Sequence, residues 1–115
     1  MPGAAKPRDL RLHYGWQFRE VYRSGKSIHG NLMTLVTMAR PGDVGRIAFV
    51  AGRKVGPAVR RNRAKRLLRE AFRALPHEIR GRTFWRVWIA RTPCATATLG
   101  AVSSQMNHLL NQESA

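Results

Sequence analysis

The stretch GPAVRRNRAKRLLREAFRAL, residues 56–75, has the pattern of one amphipathic helix. Its apolar residues repeat every three or four positions and form a face that can pack on a sheet. They are Ala64, Leu67, Leu68, Ala71, Phe72 and Leu75. Pro57 suits the first helical position, and Pro76 stops the helix. The sequence therefore predicts a helix that begins at Pro57, ends before Pro76 and packs on the rest of the fold.

The other face of this helix carries an unusual concentration of positive charge. Asn62, Lys65, Arg66, Arg69 and Arg73 share the side opposite the apolar face, and Arg60, Arg61 and Arg63 occupy the first two turns. The helix dipole is positive there, so each cation is disfavoured by about 0.3–1 kcal/mol. Only Glu70 supplies a nearby anion. A solvated charged face is one interpretation. A phosphate backbone would offset both the repulsion and the dipole, which favours a nucleic-acid ligand.

The composition of the whole chain agrees with a polyanionic partner. The 115 residues carry 21 lysines and arginines against six acids, a net charge of +15, and 43% are hydrophobic. This is enough chain for one small domain with a modest core. No apolar run of about 18 residues and no charged-then-apolar N-terminal segment is present, so we expect a cytoplasmic protein without a membrane partner. Cys94, the single cysteine, cannot form an internal disulfide.

The remaining pattern predicts one α+β domain at residues 10–112, preceded by a flexible basic arm at residues 1–9. The pattern indicates helices at 14–24 and 98–110 and strands at 31–39, 46–52 and 84–91, with a further short strand at 26–29. The strands at 31–39 and 46–52 are close enough to form a hairpin, and helices would cover one side of the sheet. In the last helix, one apolar face would hold Leu99, Val102, Met106, Leu109 and Leu110.

Three segments carry a resemblance to a known family. AFVAGRKVGPAVRRNRAKRLLREAFR, residues 48–73, closely resembles the signature of the bacterial ribonuclease P protein subunit. WQFREVYRSGKSIHG, residues 16–30, is similar to that family's first helix and turn, and WIARTP, residues 88–93, to its last strand and exit. The resemblance implies a two-layer sandwich of about four strands and three helices in the order α-β-β-β-α-β-α, ribosomal-protein-like, with a left-handed βαβ crossover.

The resemblance also implies a function. Such a protein is one subunit of a ribonucleoprotein endonuclease that removes the 5′ leader from precursor tRNA. The active site would lie in the RNA subunit, and Mg²⁺ would be held mainly by RNA phosphates. The expected partners are this catalytic RNA and precursor tRNA, with no obligatory protein partner.

The matching positions name candidate site residues. Those expected to contact the RNA subunit are Arg60, Arg61, Asn62, Arg63, Lys65, Arg66 and Arg69. The leader would lie in a central cleft against Phe18, Tyr22, Arg53 and Lys54. Stacking on bases beside a basic wall binds any leader sequence. From spacing alone, aromatics at i and i+4 are also typical of core, and a basic pair at a strand end is also typical of a solvated end.

The sequence supports leaving the chemistry to RNA. Its acids, Asp9, Glu20, Asp43, Glu70, Glu78 and Glu113, are scattered, whereas a magnesium-dependent protein nuclease needs convergent carboxylates. The histidines at 13, 29, 77 and 108 lack zinc spacing and have no adjacent nucleophile. We therefore expect no catalytic residue and no metal ligand in the protein. Two rivals stay open: a ribosomal or general RNA-binding protein without a role in cleavage, and a self-sufficient nuclease.

Some positions depart from the family pattern. Gly52 stands where a serine is common, Val36 where an aromatic can occur on the sheet floor, and the last helix lacks acids that it often carries. Trp16, Trp85 and Trp88 have no assigned role. Strand alternation sends Trp85 and Trp88 to opposite faces of the sheet, so at least one belongs to the core.

Overall fold

The fold is α+β, as predicted. The computed structural model describes residues 11–113, and the arm expected at residues 1–9 lies outside the described residues. In chain order the elements are α1 (Gly15–Ser24), β1 (Lys26–His29), β2 (Met33–Ala39), β3 (Arg46–Ala51), α2 (Ala58–Arg73), α3 (His77–Arg80), β4 (Phe84–Ala90) and α4 (Leu99–Asn111). Arg53–Val55 and Thr92–Thr96 form 3-10 turns. The short helix α3 was not predicted. Within residues 11–113, every helix is too short or too polar to span a bilayer.

The four strands form one mixed sheet in the order β1-β2-β4-β3. The predicted hairpin between β2 and β3 is wrong, because β4 lies between them, antiparallel to β2 and parallel to β3. The connection 40–45 passes across the start of β4: the Arg40 N–H donates to the Thr83 carbonyl at 2.8 Å. Gly45 lies so close to the Arg82 carbonyl that a Cβ would approach it to 2.5 Å. The hairpin is instead β1–β2, with the short strand confirmed.

Both faces of the sheet are covered. Met33, Leu35 and Trp88 belong to a large core cluster beneath α2 and α4. Val36 and Trp85 belong to a smaller cluster with α1 on the opposite face. The expectation of helices on one side therefore describes α2 and α4 but not α1. Trp85 and Trp88 are both buried, on opposite faces, as strand alternation indicated.

Helix α2 packs by its predicted apolar face. Ala64, Leu67, Leu68 and Ala71 are buried in the helix, and Leu75 is buried just after it. Burying one leucine side chain contributes about 1.5–3 kcal/mol, so this face stabilises the fold substantially. Pro57 is the residue preceding the first turn rather than the first helical residue. In α4, Leu99 was wrongly placed on the buried face: it is 41% exposed in the first turn, because the face that packs begins at Val102.

A buried ion pair joins β4 to the residues after α4, and the sequence did not predict it. The Arg86 guanidinium donates to both Glu113 carboxylate oxygens, at 2.6 and 2.7 Å, and also to the Ile79 carbonyl at 3.0 Å. The Thr37 hydroxyl donates to Glu113 at 2.6 Å. Arg86 and Glu113 are 2% and 4% exposed. Because each charge is buried with several partners, this network fixes the chain beyond α4 on the sheet.

Removing one partner of this pair should destabilise the protein strongly. Glu113→Ala leaves the Arg86 guanidinium buried without its carboxylate, which costs about 3–5 kcal/mol in comparable pairs. Urea unfolding of the full chain measures the loss. Glu78→Ala, at an exposed position, is the control and should change stability by less than about 0.5 kcal/mol. The double variant Arg86→Met/Glu113→Leu should recover most of the loss, since neither charge remains. Equal stability of Glu113→Ala and wild type would show that the pair is not structural.

Candidate nucleic-acid interface

The solvent side of α2 is a surface of uncompensated positive charge. We call it the basic face of α2; it consists of Arg60, Arg61, Asn62, Arg63, Lys65, Arg66, Arg69 and Arg73. No acidic residue lies in the first turn, and no side chain caps the helix N-terminus. Among residues 11–113, none of these cations lies within ion-pair distance of a carboxylate. The cations on this face therefore repel one another, and those in the first turns also lie at the positive end of the helix dipole. A bound polyanion would relieve both effects.

Arg63 differs from its neighbours because it also has a structural contact. Its Nε donates to the Ala95 carbonyl at 2.8 Å, in the 3-10 turn Thr92–Thr96. The guanidinium is therefore positioned by the fold, while the residue as a whole stays exposed. Arg60, Arg66 and Arg73 are exposed, and Arg61 is half-buried. The Arg63 side chain can thus contact the turn through its Nε and still donate to an anion through the rest of its guanidinium.

A cleft of about 260 Å³ runs along the free edge of β3, between α1 and α2. It is lined by Arg11, Leu12, Phe18, Ile47, Ala48, Phe49, Val50, Lys65 and Arg69. The segment before α1 forms one wall, because the Leu12 N–H donates to the Ile47 carbonyl at 3.0 Å. The cleft is therefore lined by two aromatic residues, apolar residues of β3 and three cations, a combination suited to single-stranded nucleic acid.

The sequence predicted a different surface for two of the three cleft cations, and it predicted no site for the third. Lys65 and Arg69 were assigned to the surface that contacts the RNA subunit, yet they also line the cleft with Phe18. Arg11 was included in no predicted site. The sequence feature that could have indicated Arg11 is a charged residue followed by an apolar one: Arg11 is exposed, and Leu12 is buried. Such a two-residue pattern is too short to predict strand-like pairing with β3.

The aromatic pair of α1 is neither fully buried nor fully free. Phe18 is half-buried and packs against the smaller core cluster, while Tyr22 is 49% exposed. Their ring centroids are 6.4 Å apart. Partial burial raises the pKa of the Tyr22 hydroxyl above its ordinary value. Both rings present surface to solvent, and Phe18 does so inside the cleft.

Arg53 and Lys54 lie on a 3-10 turn rather than at the end of a strand. β3 ends at Ala51, and the turn Arg53–Val55 follows it. The Thr92 hydroxyl donates to the Lys54 carbonyl at 3.1 Å, which holds this turn against the turn that contacts Arg63. Both basic side chains are exposed. Neither lines the cleft, so they are close to it in sequence but stand outside its walls.

Glu20 and Asp43 have partners within the fold. Glu20 pairs with Arg23 at 2.8 Å. Burial alone would raise the pKa of Asp43, but hydrogen bonds from the Val44 N–H, Arg46 and Trp85 outweigh it and lower the pKa. Burial raises the pKa of the Cys94 thiol to about 11, so it is no nucleophile at neutral pH. Among residues 11–113, no three histidines, cysteines or carboxylates converge to hold a metal ion.

Comparison with known proteins places this geometry in a family. The family model Ribonuclease P matches residues 7–113. Ribonuclease P protein components of Alkaliphilus oremlandii and Alkaliphilus metalliredigens are 30% and 31% identical over 102 residues, covering 89% of this chain and 89% and 91% of theirs. The RNase P proteins of Staphylococcus aureus and Thermotoga maritima superpose with a TM-score of 0.76, at 25% and 27% identity, covering 89% of this chain and 93% and 96% of theirs.

The distinct contacts of Arg63 and Arg66 predict different effects on stability. Arg63→Ala removes the hydrogen bond to Ala95 and should cost about 1 kcal/mol of unfolding free energy. Arg66→Ala, at an exposed position on the same helix, should leave stability within about 0.5 kcal/mol of wild type. Urea unfolding of the free protein measures both. A stability loss at Arg66 that equals the one at Arg63 would show that the Ala95 contact has no special weight.

Proposed function

The chain belongs to the ribonuclease P protein family, and we propose that it assists removal of the 5′ leader from precursor tRNA by binding two RNAs at two surfaces. Members of this family are the protein component of an endoribonuclease. The basic face of α2 would bind the catalytic RNA subunit, and the cleft would bind the leader. The observation that carries the proposal is the basic face itself, a row of cations of which none lies within ion-pair distance of a carboxylate among residues 11–113.

Contact with the RNA subunit would use the arginines of α2 as phosphate ligands. A guanidinium binds phosphate oxygens with two parallel hydrogen bonds, and it keeps its charge at every physiological pH. Arg60, Arg61 and Arg66 would attract the phosphates by their charge. Arg63 would do the same with a guanidinium that the hydrogen bond to the Ala95 carbonyl holds in place. Asn62 between them can donate to or accept from a sugar or base. The dipole penalty at the start of α2 would then disappear on binding.

Binding of the leader would combine stacking with charge. Phe18 and the apolar floor of β3 offer surface to bases, while Lys65, Arg69 and Arg11 line the same cleft. None of these groups distinguishes one base from another, so leaders of any sequence would be accepted. Tyr22 would extend the stacking surface from Phe18. Arg53 and Lys54, exposed on the turn that follows β3, would contact the leader backbone outside the walls of the cleft.

We propose that the reaction itself takes place on the RNA subunit. The donor set of residues 11–113 does not fit a magnesium site, because no three candidate ligands converge. Mg²⁺ would be held mainly by RNA phosphates, and the protein would carry out no chemical step. The protein's contribution is binding and neutralisation of phosphates, with precursor tRNA as substrate, the cytoplasm as the expected compartment and no obligatory protein partner.

Reconstitution tests whether the RNA subunit carries out the reaction while the protein binds RNA and neutralises phosphates. With its cognate RNA subunit, the protein should lower the magnesium concentration needed to cleave precursor tRNA, because it neutralises phosphates. The measurement is the cleavage rate against magnesium concentration, with and without protein. Protein alone with magnesium should show no cleavage, and robust RNA-free cleavage would overturn the proposal. Binding of RNA without any effect on cleavage would favour a general RNA-binding protein.

The aromatic pair provides a second test. Phe18→Ala/Tyr22→Ala should weaken the affinity of the holoenzyme for precursor tRNA by roughly 1–3 kcal/mol per lost stack, with mature tRNA unaffected. Equilibrium binding against leader length is the measurement. Tyr14→Ala, which removes an exposed aromatic outside the cleft lining, is the matched control. Thermal unfolding of the free variant checks its fold. A folded variant that still distinguishes long from short leaders like wild type would remove both residues from the site.

A further inference from the structure

The solvent side of α1 has a second surface, of which the proposed function uses only Tyr22. A shallow groove of about 560 Å³ is lined by Trp16, Arg19, Glu20, Tyr22 and Arg23, and we call it the outer groove. Trp16 and Tyr22 are 50% and 49% exposed, which is unusual for two large aromatic side chains on one short helix. Exposed aromatics beside arginines have the composition of a single-strand binding surface.

Trp16 is half exposed, but its ring also contacts a buried residue of the sheet. Its ring packs on Trp85 at a centroid distance of 5.9 Å. Trp85 is buried, its indole N–H donates to Asp43 at 3.1 Å, and the Arg40 guanidinium lies 4.4 Å above its ring. The two rings are tilted by 57°, so Trp16 contacts the sheet through Trp85 while half of its surface stays open to solvent. A ring fixed in this way loses little conformational entropy when a base stacks on it.

The outer groove continues the cleft around α1. At about 100° per residue, the solvent-facing positions follow one another around the helix in the order Phe18, Tyr22, Arg19, Arg23, Trp16. Phe18 lines the cleft and Tyr22 lines the outer groove, with their rings 6.4 Å apart. An extended strand leaving the cleft over Phe18 would thus meet a second ring, two cations and a third ring in turn.

The charge of the outer groove suits an anion. Glu20 is the one acid in its lining, and it pairs with Arg23 at 2.8 Å and Arg40 at 4.0 Å. Arg19 has no carboxylate partner among residues 11–113. The Arg23 side chain is 76% exposed and the Glu20 side chain 31%. Water therefore screens this pair, and a phosphate can replace Glu20 as the partner of Arg23.

We propose that the outer groove binds the part of the precursor's single-stranded leader that extends beyond the cleft. A base stacks on Trp16, and Arg19 and Arg23 contact the phosphates before it. This rests on the proposed function, since the cleft must hold the proximal leader. It adds to that function a dependence on leader length: nucleotides distal to the cleft contribute affinity only while this surface of α1 is intact.

The test compares two precursor tRNAs in the reconstituted holoenzyme, one with a leader that fills the cleft and one with a leader several nucleotides longer. Trp16→Ala should lower affinity for the longer leader by roughly 5-fold or more, from one lost stack, and leave the shorter one unchanged. Because Trp16 also packs on Trp85, the exposed pair Arg19→Gln/Arg23→Gln provides a second variant without a packing role. It should show the same selective loss and a flatter salt dependence for the longer leader.

Glu20→Gln provides the converse variant. It removes the negative charge from the outer groove and releases Arg23, so affinity for the longer leader should rise. Tyr14→Ala, an exposed aromatic outside the lining, is the control and should behave like wild type. A loss that is equal for both leaders, or no loss in either variant, overturns the proposal while leaving the proposed function intact. Failure of the wild-type protein to stimulate cleavage of both precursors would instead overturn the proposed function.

Discussion

Burial of the apolar face of α2 is the interaction on which the whole interface depends. Leu67 and Leu68 pack into the larger core cluster between the sheet and α4. The direction of the helix is set just before it, where Gly56 has a φ of 132° and a Cβ would come within 2.8 Å of the Arg60 side chain. Once this face is buried, the other sides of α2 face solvent, the edge of β3 or the turn Thr92–Thr96. The basic face and one wall of the cleft are therefore consequences of the same packing.

The contrast between two groups of arginines shows how the charge is arranged. Arg86 is buried and has both oxygens of Glu113, so its charge is neutralised inside the fold. The arginines of α2 are at the surface and pair with no carboxylate among residues 11–113. Folding tolerates the second group because water screens exposed charges, but their mutual repulsion remains. That repulsion becomes a driving force for binding as soon as a polyanion replaces the counterions.

The local sequence pattern predicted the helices and strands well, but it predicted poorly which distant residues pair. The period of α2 identified its buried face because helical spacing is a property of the segment itself. The β2–β3 hairpin was wrong because strand partners are chosen by the whole sheet, and the strand that separates β2 from β3 comes more than thirty residues later in the chain. The pair of Arg86 and Glu113 was missed for the same reason: a charged residue in a strand and another near the chain end show no local relation.

The candidate site was predictable only where the residues carry a specific motif. The basic face of α2 was visible in the sequence, whereas the partition of Lys65 and Arg69 between two surfaces depends on where the edge of β3 lies. The spacing of Phe18 and Tyr22 could not separate core from cleft, because Phe18 packs against the smaller core cluster and also lines the cleft, whereas Tyr22 is exposed and lines the outer groove. Helix α1 can serve both purposes because it covers the sheet alone. No second helix lies beside it on that face among the described residues. Gln17 and Val21 are buried on its inner side, Phe18 packs against the smaller core cluster, and most of its other positions stay exposed.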